Sequence, residues 1–488
     1  MLSEIQQQQI KERGIEQQEV VRQLEDFKKG FPFMRIERAA KIDDGIIRLS
    51  EEQINDYISN FSLNREGYQM VKMVPASGAA TRMFKALYEY LADGKSNKEV
   101  ENFLAKKQNF AFYQELKSRV SQGNDREWVA KLLNEDGLGY GSLPKGLLAF
   151  HSYGEESRTP LEEHLFEAAQ YAQDGKKAYL HFTVSPEHRS RFEALVSKVV
   201  EKFEKRFGIQ YIISFSEQKT STDTVAVNKD NSLFLEDGKL LFRPAGHGAL
   251  LENLNDLEGD IIFIKNVDNV VPERYSESTI AYKKALMGIL LGIINRNKEV
   301  FASLKGDVKI EQLNSALKYL GEFLGYIPEE GFAVLSLKEQ VERISRILDR
   351  PTRVCGVVRN TGEPGGGPFW VKGQNGAISL QLVESAQVDA SNVLQQEIFQ
   401  GSTHFNPVDL VCYPKNMEGE KLDLLKYRDM EAGFITEKTK DGQSLKAMEL
   451  PGLWNGSMSD WNTIFVEVPL ETFNPVKTVN DLLRPMHQ

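Results

Sequence analysis

The sequence predicts an α/β protein built on a mixed, mostly parallel sheet flanked by helices, and two observations predict it. Apolar runs of strand length alternate with helical stretches across residues 68–300. The helical stretches also carry start and stop signals at the expected places. Strands alternating with helices imply βαβ units, whose crossovers lay successive strands parallel.

The elements follow in order. Residues 1–30 are rich in Gln and Glu and read as a helix ending near Gly30. A second helix begins around Ser50, where Ser50 and Gln53 match a capping box. Residues 69–75 form a short apolar strand, followed by the small-residue loop 76–80. The next helix places Met83, Leu87 and Tyr90 on one side and stops at Gly94. Thr159-Pro160 opens another helix, with Glu162 and Glu163 at its positive end and Gly175 closing it. A strand at 178–184 leads to Ser185-Pro186, which opens a helix ended by Gly208. A strand at 209–215 follows, then a helix over about 248–257 and a strand at 260–265. Residues 300–350 read as mainly helical, and strands return from 351 in RVCGVVR and AISLQLVESAQV. The expected organisation is a helical N-terminal extension (1–65), an α/β core (66–350) and a strand-rich C-terminal part (351–488). That last part either completes the site or forms a small second domain.

Composition narrows the function classes. With 488 residues, 41% of them hydrophobic, the chain has ample material for a large core. Its formal net charge of -10 argues against non-specific binding to nucleic acid or an anionic membrane. Two cysteines, Cys355 and Cys412, are too few for a disulfide framework, and both lie in apolar runs that suit buried thiols. The polar first twenty residues lack the apolar core of a signal peptide, and the longest apolar run, 285–294, is about half a bilayer span. A cytoplasmic protein acting on small molecules is the expectation.

Several loops carry candidate chemistry. In 75–83, PASGAATRM, the small residues Ala76, Ser77 and Gly78 let backbone approach a ligand, and the helix that follows offers N–H groups to phosphate. Thr81 adds a hydroxyl and Arg82 a planar fork suited to phosphate oxygens. This loop is neither a Walker motif nor GxGxxG. The turn Leu143-Pro144-Lys145-Gly146 holds Lys145 either as a fixed charge against phosphate or as a plain surface lysine. In Arg243–Leu250, Gly246 and Gly248 permit close approach, and His247 between them is exposed by context, as a hydrogen-bond donor or simply a loop residue. The strand 261–265 ends in Asn266-Val267-Asp268-Asn269. Open α/β sheets bind ligands outside the carboxyl ends of their strands. Asp268 there suits Mg²⁺, a hard ion that prefers oxygen, or closes the strand with an Asx turn. The glycine-rich loop 360–369 is either a sugar cradle, with Glu363 bonding hydroxyls, or a linker. No GxSxG or HExxH hydrolase signal occurs, and His164 reads as a packed or surface histidine.

Taken together and in order, these segments resemble the sugar-1-phosphate uridylyltransferase (UDP-sugar pyrophosphorylase) superfamily of nucleotidyltransferases. Pro244-x-Gly246-His247-Gly248 followed by Phe263-x-x-Asn266-x-Asp268-Asn269 is similar to that family's Gly-His-Gly loop and Asn-x-Asp-Asn strand end. Gly78-x-x-Thr81-Arg82-Met83 resembles its glycine-rich signature, with Ser77 and Ala80 where the family has glycine. Leu143-Pro144-Lys145-Gly146 resembles its Pro-Lys-Gly turn. The likeness spans about residues 70–270.

The resemblance implies a Rossmann-like core of the GT-A type. It implies nucleotide binding by Ala76, Ser77, Gly78, Thr81, Gly246, His247 and Gly248. Arg82 and Lys145 would act on the phosphates and Asp268 on Mg²⁺; beside these, Asn266 and Glu363 are the candidates for the sugar. The implied reaction joins a nucleoside triphosphate, UTP by resemblance, to a sugar-1-phosphate and releases pyrophosphate. A catalytically silent nucleotide- or sugar-binding protein and a GT-A-type glycosyltransferase are the alternatives. Oligomeric state is not legible.

Overall fold

The computed structural model describes residues 2–488 apart from 79, 122, 363 and 364. The chain forms two compact units, each assembled from three separate segments. One comprises residues 1–53, 218–260 and 286–468, and the other 54–217, 261–285 and 469–488. The strands include β1 (Arg35–Ala39), β2 (Gly45–Ile47), β3 (Met70–Pro75), β4 (Lys177–Val184), β5 (Gln210–Glu217), β6 (Ile261–Lys265), β7 (Thr352–Arg359), β8 (Gly367–Lys372), β9 (Ile378–Val383), β10 (His404–Tyr413) and β11 (Asn462–Glu467). The helices include α1 (Lys85–Asp93), α2 (Pro160–Tyr171) and α3 (Arg189–Phe207).

The second unit carries the predicted parallel sheet, in the order β6-β3-β4-β5. Its helices start where the sequence says they should. Thr159 and Glu162 close a capping box at the head of α2, with Pro160 as its first residue. Gly94 and Gly208 end α1 and α3 in the left-handed conformation that glycine adopts without a Cβ penalty. α2 itself ends at Tyr171, and Gly175 lies in the turn beyond it. Aromatic and aliphatic side chains of α1 and the segments after it, among them Phe84, Leu87, Phe103, Trp128 and Leu132, build one apolar cluster with Val476, Val479 and Leu482. Residues 469–488 are therefore part of this unit's core.

Beneath the sheet lies a buried charge network. Lys72 of β3 and Lys265 of β6 both hold Glu167 of α2, at 2.7 and 2.6 Å, and Tyr171 donates its hydroxyl to the same carboxylate. The three charged side chains are at most 2% exposed. Burial pulls Lys72 down to about 8, while the lysines hold Glu167 well below the usual carboxylate range against its own desolvation. A second buried chain runs from Glu163 to His151 and on to His487, with 2.9 Å at each step. Burial raises Glu163 to about 8 and lowers both histidines to about 3. Burial thus disfavours charge on every member of the chain.

The first unit holds a mixed sheet, with β2 parallel to β11, β11 parallel to β7 and β7 antiparallel to β10. A separate antiparallel sheet joins β1, β8 and β9. The first 65 residues are expected to be helical, yet Arg35–Ala39 and Gly45–Ile47 are strands. Their pairings with Gly367–Lys372 and Asn462–Glu467 reach across more than 300 residues, so local periodicity does not announce them. The N-terminal helices are integral: Ile10, Val20 and Phe27 pack with Val225, Val227, Leu240 and Met448. Full burial of such side chains stabilises by about 1.5–3 kcal/mol each. Cys355 and Cys412 are both buried, as expected. Among the described residues, no helix is long and apolar enough to cross a membrane.

Candidate functional site

In the second unit the chain lays β3, β4 and β5 side by side in one direction, then returns β6 to the other side of β3. That reversal makes β3 and β6 the switch point of the sheet, and the crevice outside their carboxyl ends is where open α/β sheets place ligands. The loop after β3 is 76–82, and the loop after β6 is Asn266–Asn269.

The structure brings Lys145 and Asp268 together here. Lys145 Nζ lies 2.6 Å from Asp268 Oδ2 and donates a second hydrogen bond, also 2.6 Å, to the carbonyl of Val476. Both side chains are mostly shielded, 18% and 16% exposed. Lys145 is therefore a held charge. Gly146 explains how the turn comes so close. A Cβ there would stand 2.8 Å from the ring of Phe192 on α3 and 3.2 Å from Val267. Gly146→Ala is expected to destabilise the protein by about 1–3 kcal/mol through overpacking. Urea denaturation of the variant beside the wild type checks this.

The Asn266–Asn269 loop is fixed from behind. His164 of α2, fully buried, donates its Nε2 proton to Val267 O at 3.2 Å. Asn269 Oδ1 accepts the N–H of Asn474 at 2.8 Å. His164 is thus packed, as the sequence suggests, but it also orients the strand end. Asn266, half-buried, sits at the start of this loop.

The 76–82 loop meets the Lys145 turn directly, through Ala80 N–H to Leu143 O at 3.1 Å. Ala76 gives its N–H to Thr183 O at 2.8 Å, so its contribution to a ligand is limited to its carbonyl and small size. Ala80, where a glycine would match the family pattern, is fully buried against the unit's core, which accounts for its methyl group. Ser77, Gly78, Thr81 and Arg82 face outward, and no ion pair engages Arg82 among the described residues. Gly78 has open space where a Cβ would stand.

Gly246, His247 and Gly248 belong to the first unit. Gly248 is demanded by close packing, since a Cβ would stand 2.2 Å from Pro451 O. Gly246 has a φ of +76°. His247 is not the exposed loop residue that its neighbours suggest. It stacks on Trp454 with ring centroids 4.2 Å apart, and its Nδ1 accepts the N–H of Leu453 at 3.0 Å. Burial lowers its pKa to about 4, so at pH 7 the ring is neutral with its proton on Nε2. Nε2 lies 3.7 Å from Glu384, whose pKa burial raises. Glu384 and Trp454 thus both stand against His247. Glu363 lies outside the described residues.

A magnesium ion fits one part of this arrangement. No cluster of three or more His, Cys, Asp or Glu side chains that could cage a metal occurs among the described residues. Asp268 offers one carboxylate at a strand end. That suits an ion which keeps several waters and takes its remaining ligands from substrate phosphates.

The fold and this crevice define an α/β protein with a cation-carboxylate pair at the switch point of a parallel sheet. The chain belongs to the family described as Domain of unknown function (DUF4301), whose model matches residues 3–488. No curated protein matches it. Among solved structures it is similar to the UDP-glucose pyrophosphorylase from Leishmania major, with 14% identity and a TM-score of 0.42 over 99% of this chain and 79% of that one. It is also similar to the uridine diphosphate N-acetylglucosamine pyrophosphorylase from Trypanosoma brucei, with 11% identity and a TM-score of 0.47 over 95% and 74% of the two chains. At such identities the chemistry has to be argued from the residues.

Proposed function

We propose that this protein is a nucleotidyltransferase that joins a nucleoside triphosphate, UTP being the first candidate, to a sugar-1-phosphate and releases pyrophosphate. The observation that carries this reading is the 2.6 Å pair of Lys145 and Asp268 outside the β3/β6 switch point. A lysine and an aspartate, 123 positions apart in sequence, stand together outside the carboxyl ends of the strands, where open α/β sheets bind ligands. The resemblance of the four ordered segments supports it independently.

In this reading an oxygen of the sugar-1-phosphate attacks the α-phosphorus of the triphosphate, the bond to the bridging oxygen breaks, and pyrophosphate leaves. The protein's contribution is alignment and charge. Ser77, Gly78 and Thr81 present backbone and hydroxyl groups to the triphosphate, with Arg82 as a free fork for its oxygens. Lys145 moves from Asp268 to a phosphate oxygen and stabilises the charge that builds there. Asp268 would hold Mg²⁺, which when bound neutralises phosphate charge. By the resemblance alone, the Gly246–Gly248 loop with His247 would contact the nucleoside; Asn266 and Glu363 are the candidates for the sugar.

The test is pyrophosphate release with Mg²⁺, crossing the common nucleoside triphosphates with a panel of sugar-1-phosphates, beside an Asp268→Ala control. Release with one pair, lost in the control, is expected. Silence across the panel with nucleotide binding retained would replace the transferase by a nucleotide-binding protein.

A further inference from the structure

The first unit contains a cavity of about 500 Å³ that the proposed chemistry does not use. Residues 32–35, the turn after β8, Gln381 of β9 and the segments 428–431 and 459–460 line it. All of them belong to this unit. Its volume lies in the range of small-molecule sites.

Its charges are arranged unevenly. Arg35, Lys372 and Arg428 all line the cavity, and no ion pair or side-chain hydrogen bond engages any of them among the described residues. Arg35 and Lys372 are direct cross-strand partners in the β1–β8 ladder. Like charges set opposite each other destabilise a sheet, so an anion between them would relieve a cost the fold carries without it. The carboxylates of the same cavity are already engaged. Glu431 takes Lys29 and Gln374, Asp460 faces Arg350 at 3.6 Å, and Asp429 caps the N–H of Glu431 at 2.9 Å. The unanswered charge of the cavity is therefore positive.

A second, independent observation concerns Gln381. It is 8% exposed, and its Nε2 donates to Ser379 at 3.1 Å. Its Oε1 is buried and has no hydrogen-bond partner. A buried acceptor left unmet costs about 1–3 kcal/mol, which a ligand hydroxyl would recover. Phe33, 53% exposed, adds an apolar ring at the same cavity.

We propose that this cavity binds a monosaccharide phosphate. The phosphate monoester, carrying nearly two negative charges at pH 7, sits among Arg35, Lys372 and Arg428. Two of these are guanidiniums able to grip oxygens in pairs. A sugar hydroxyl donates to Gln381 Oε1, and a sugar face lies on Phe33. This site is distinct from the Lys145–Asp268 crevice and does not depend on the reaction proposed there.

Calorimetry on the full chain, without nucleotide or metal, tests it with glucose 6-phosphate, ribose 5-phosphate, glucose and inorganic phosphate as probes. One of the two sugar phosphates is expected to saturate the protein at least about tenfold more tightly than glucose or inorganic phosphate, a difference of about 1.4 kcal/mol. Lys372→Ala with Arg428→Ala should weaken it about tenfold or more, and Gln381→Leu should weaken the sugar phosphate but not inorganic phosphate. Lys145→Ala should leave binding unchanged. If the double variant fails to fold by circular dichroism, Arg35→Glu at the exposed end of β1 is read in its place. The proposal is overturned if neither sugar phosphate binds, if inorganic phosphate binds as tightly, if the cavity variants bind like wild type, or if Lys145→Ala abolishes binding.

Discussion

Replacing Glu167 with Gln is expected to lower the free energy of unfolding at pH 7 by about 3–5 kcal/mol, because it strips two buried ammonium groups of their shared counter-charge. Lys72 and Lys265 reach the carboxylate at 2.7 and 2.6 Å, and neither side chain has appreciable contact with water. The loss should also depend on pH. Burial already holds Lys72 at about 8, below the 10.5 of an unperturbed lysine. The unfolded chain therefore binds more protons than the folded one between those values, and stability from this group rises with pH across that window. Without Glu167 nothing offsets the desolvation, so the folded pKa falls further and the window opens downward. The variant should regain stability between pH 7 and pH 8, where the wild type changes little. Urea denaturation at several pH values reads this directly; a loss under about 1 kcal/mol, or one equal at pH 7 and pH 9, would contradict the buried-network account.

Lys145→Met should split two properties that most active-site substitutions move together. Turnover is expected to fall about 10²–10³-fold, the usual cost of removing one group that stabilises developing charge. The Mg²⁺ dependence should shift the other way. Lys145 Nζ lies 2.6 Å from Asp268 Oδ2, so it competes with any ion for that oxygen. Without it, half-maximal activity should be reached at lower Mg²⁺. Full turnover in this variant would remove Lys145 from the proposed mechanism, and a higher Mg²⁺ requirement would show that the lysine assists the ion rather than competing with it.

Much of the second unit is legible in the sequence because its signals are local. The 69–75 run, the Thr159–Glu162 cap and the 261–265 run each declare themselves within a few residues, and each is an element of the structure. The strand-end position of Asp268 follows from the same periodicity. Long-range contacts leave no such trace. Nothing near Lys145 announces the Val476 carbonyl, 331 positions away. His247 reads as exposed because its neighbours are glycines, yet Trp454 and Leu453 cover it from more than 200 residues downstream. β1 is short and mostly polar, and only its pairing with β8 makes it a strand. Lys72 and Lys265 sit in apolar runs where a lysine looks like an interruption, and only folding shows that one glutamate answers both.

The interleaving of the two units bears on how the protein must be made. Residues 54–217 emerge from the ribosome long before 469–488, yet Val476 and Val479 complete the core that those earlier residues begin. The unit that begins first, with residues 1–53, waits for strand β11 at 462–467. Neither unit can close before its last segment, 286–468 or 469–488, has been made. Until then the nascent chain carries unburied apolar surface, a state in which partly folded chains aggregate. This architecture therefore favours chaperone attendance during synthesis. It also means that a chain cut short before residue 476 loses a wall of its core and the carbonyl that holds Lys145.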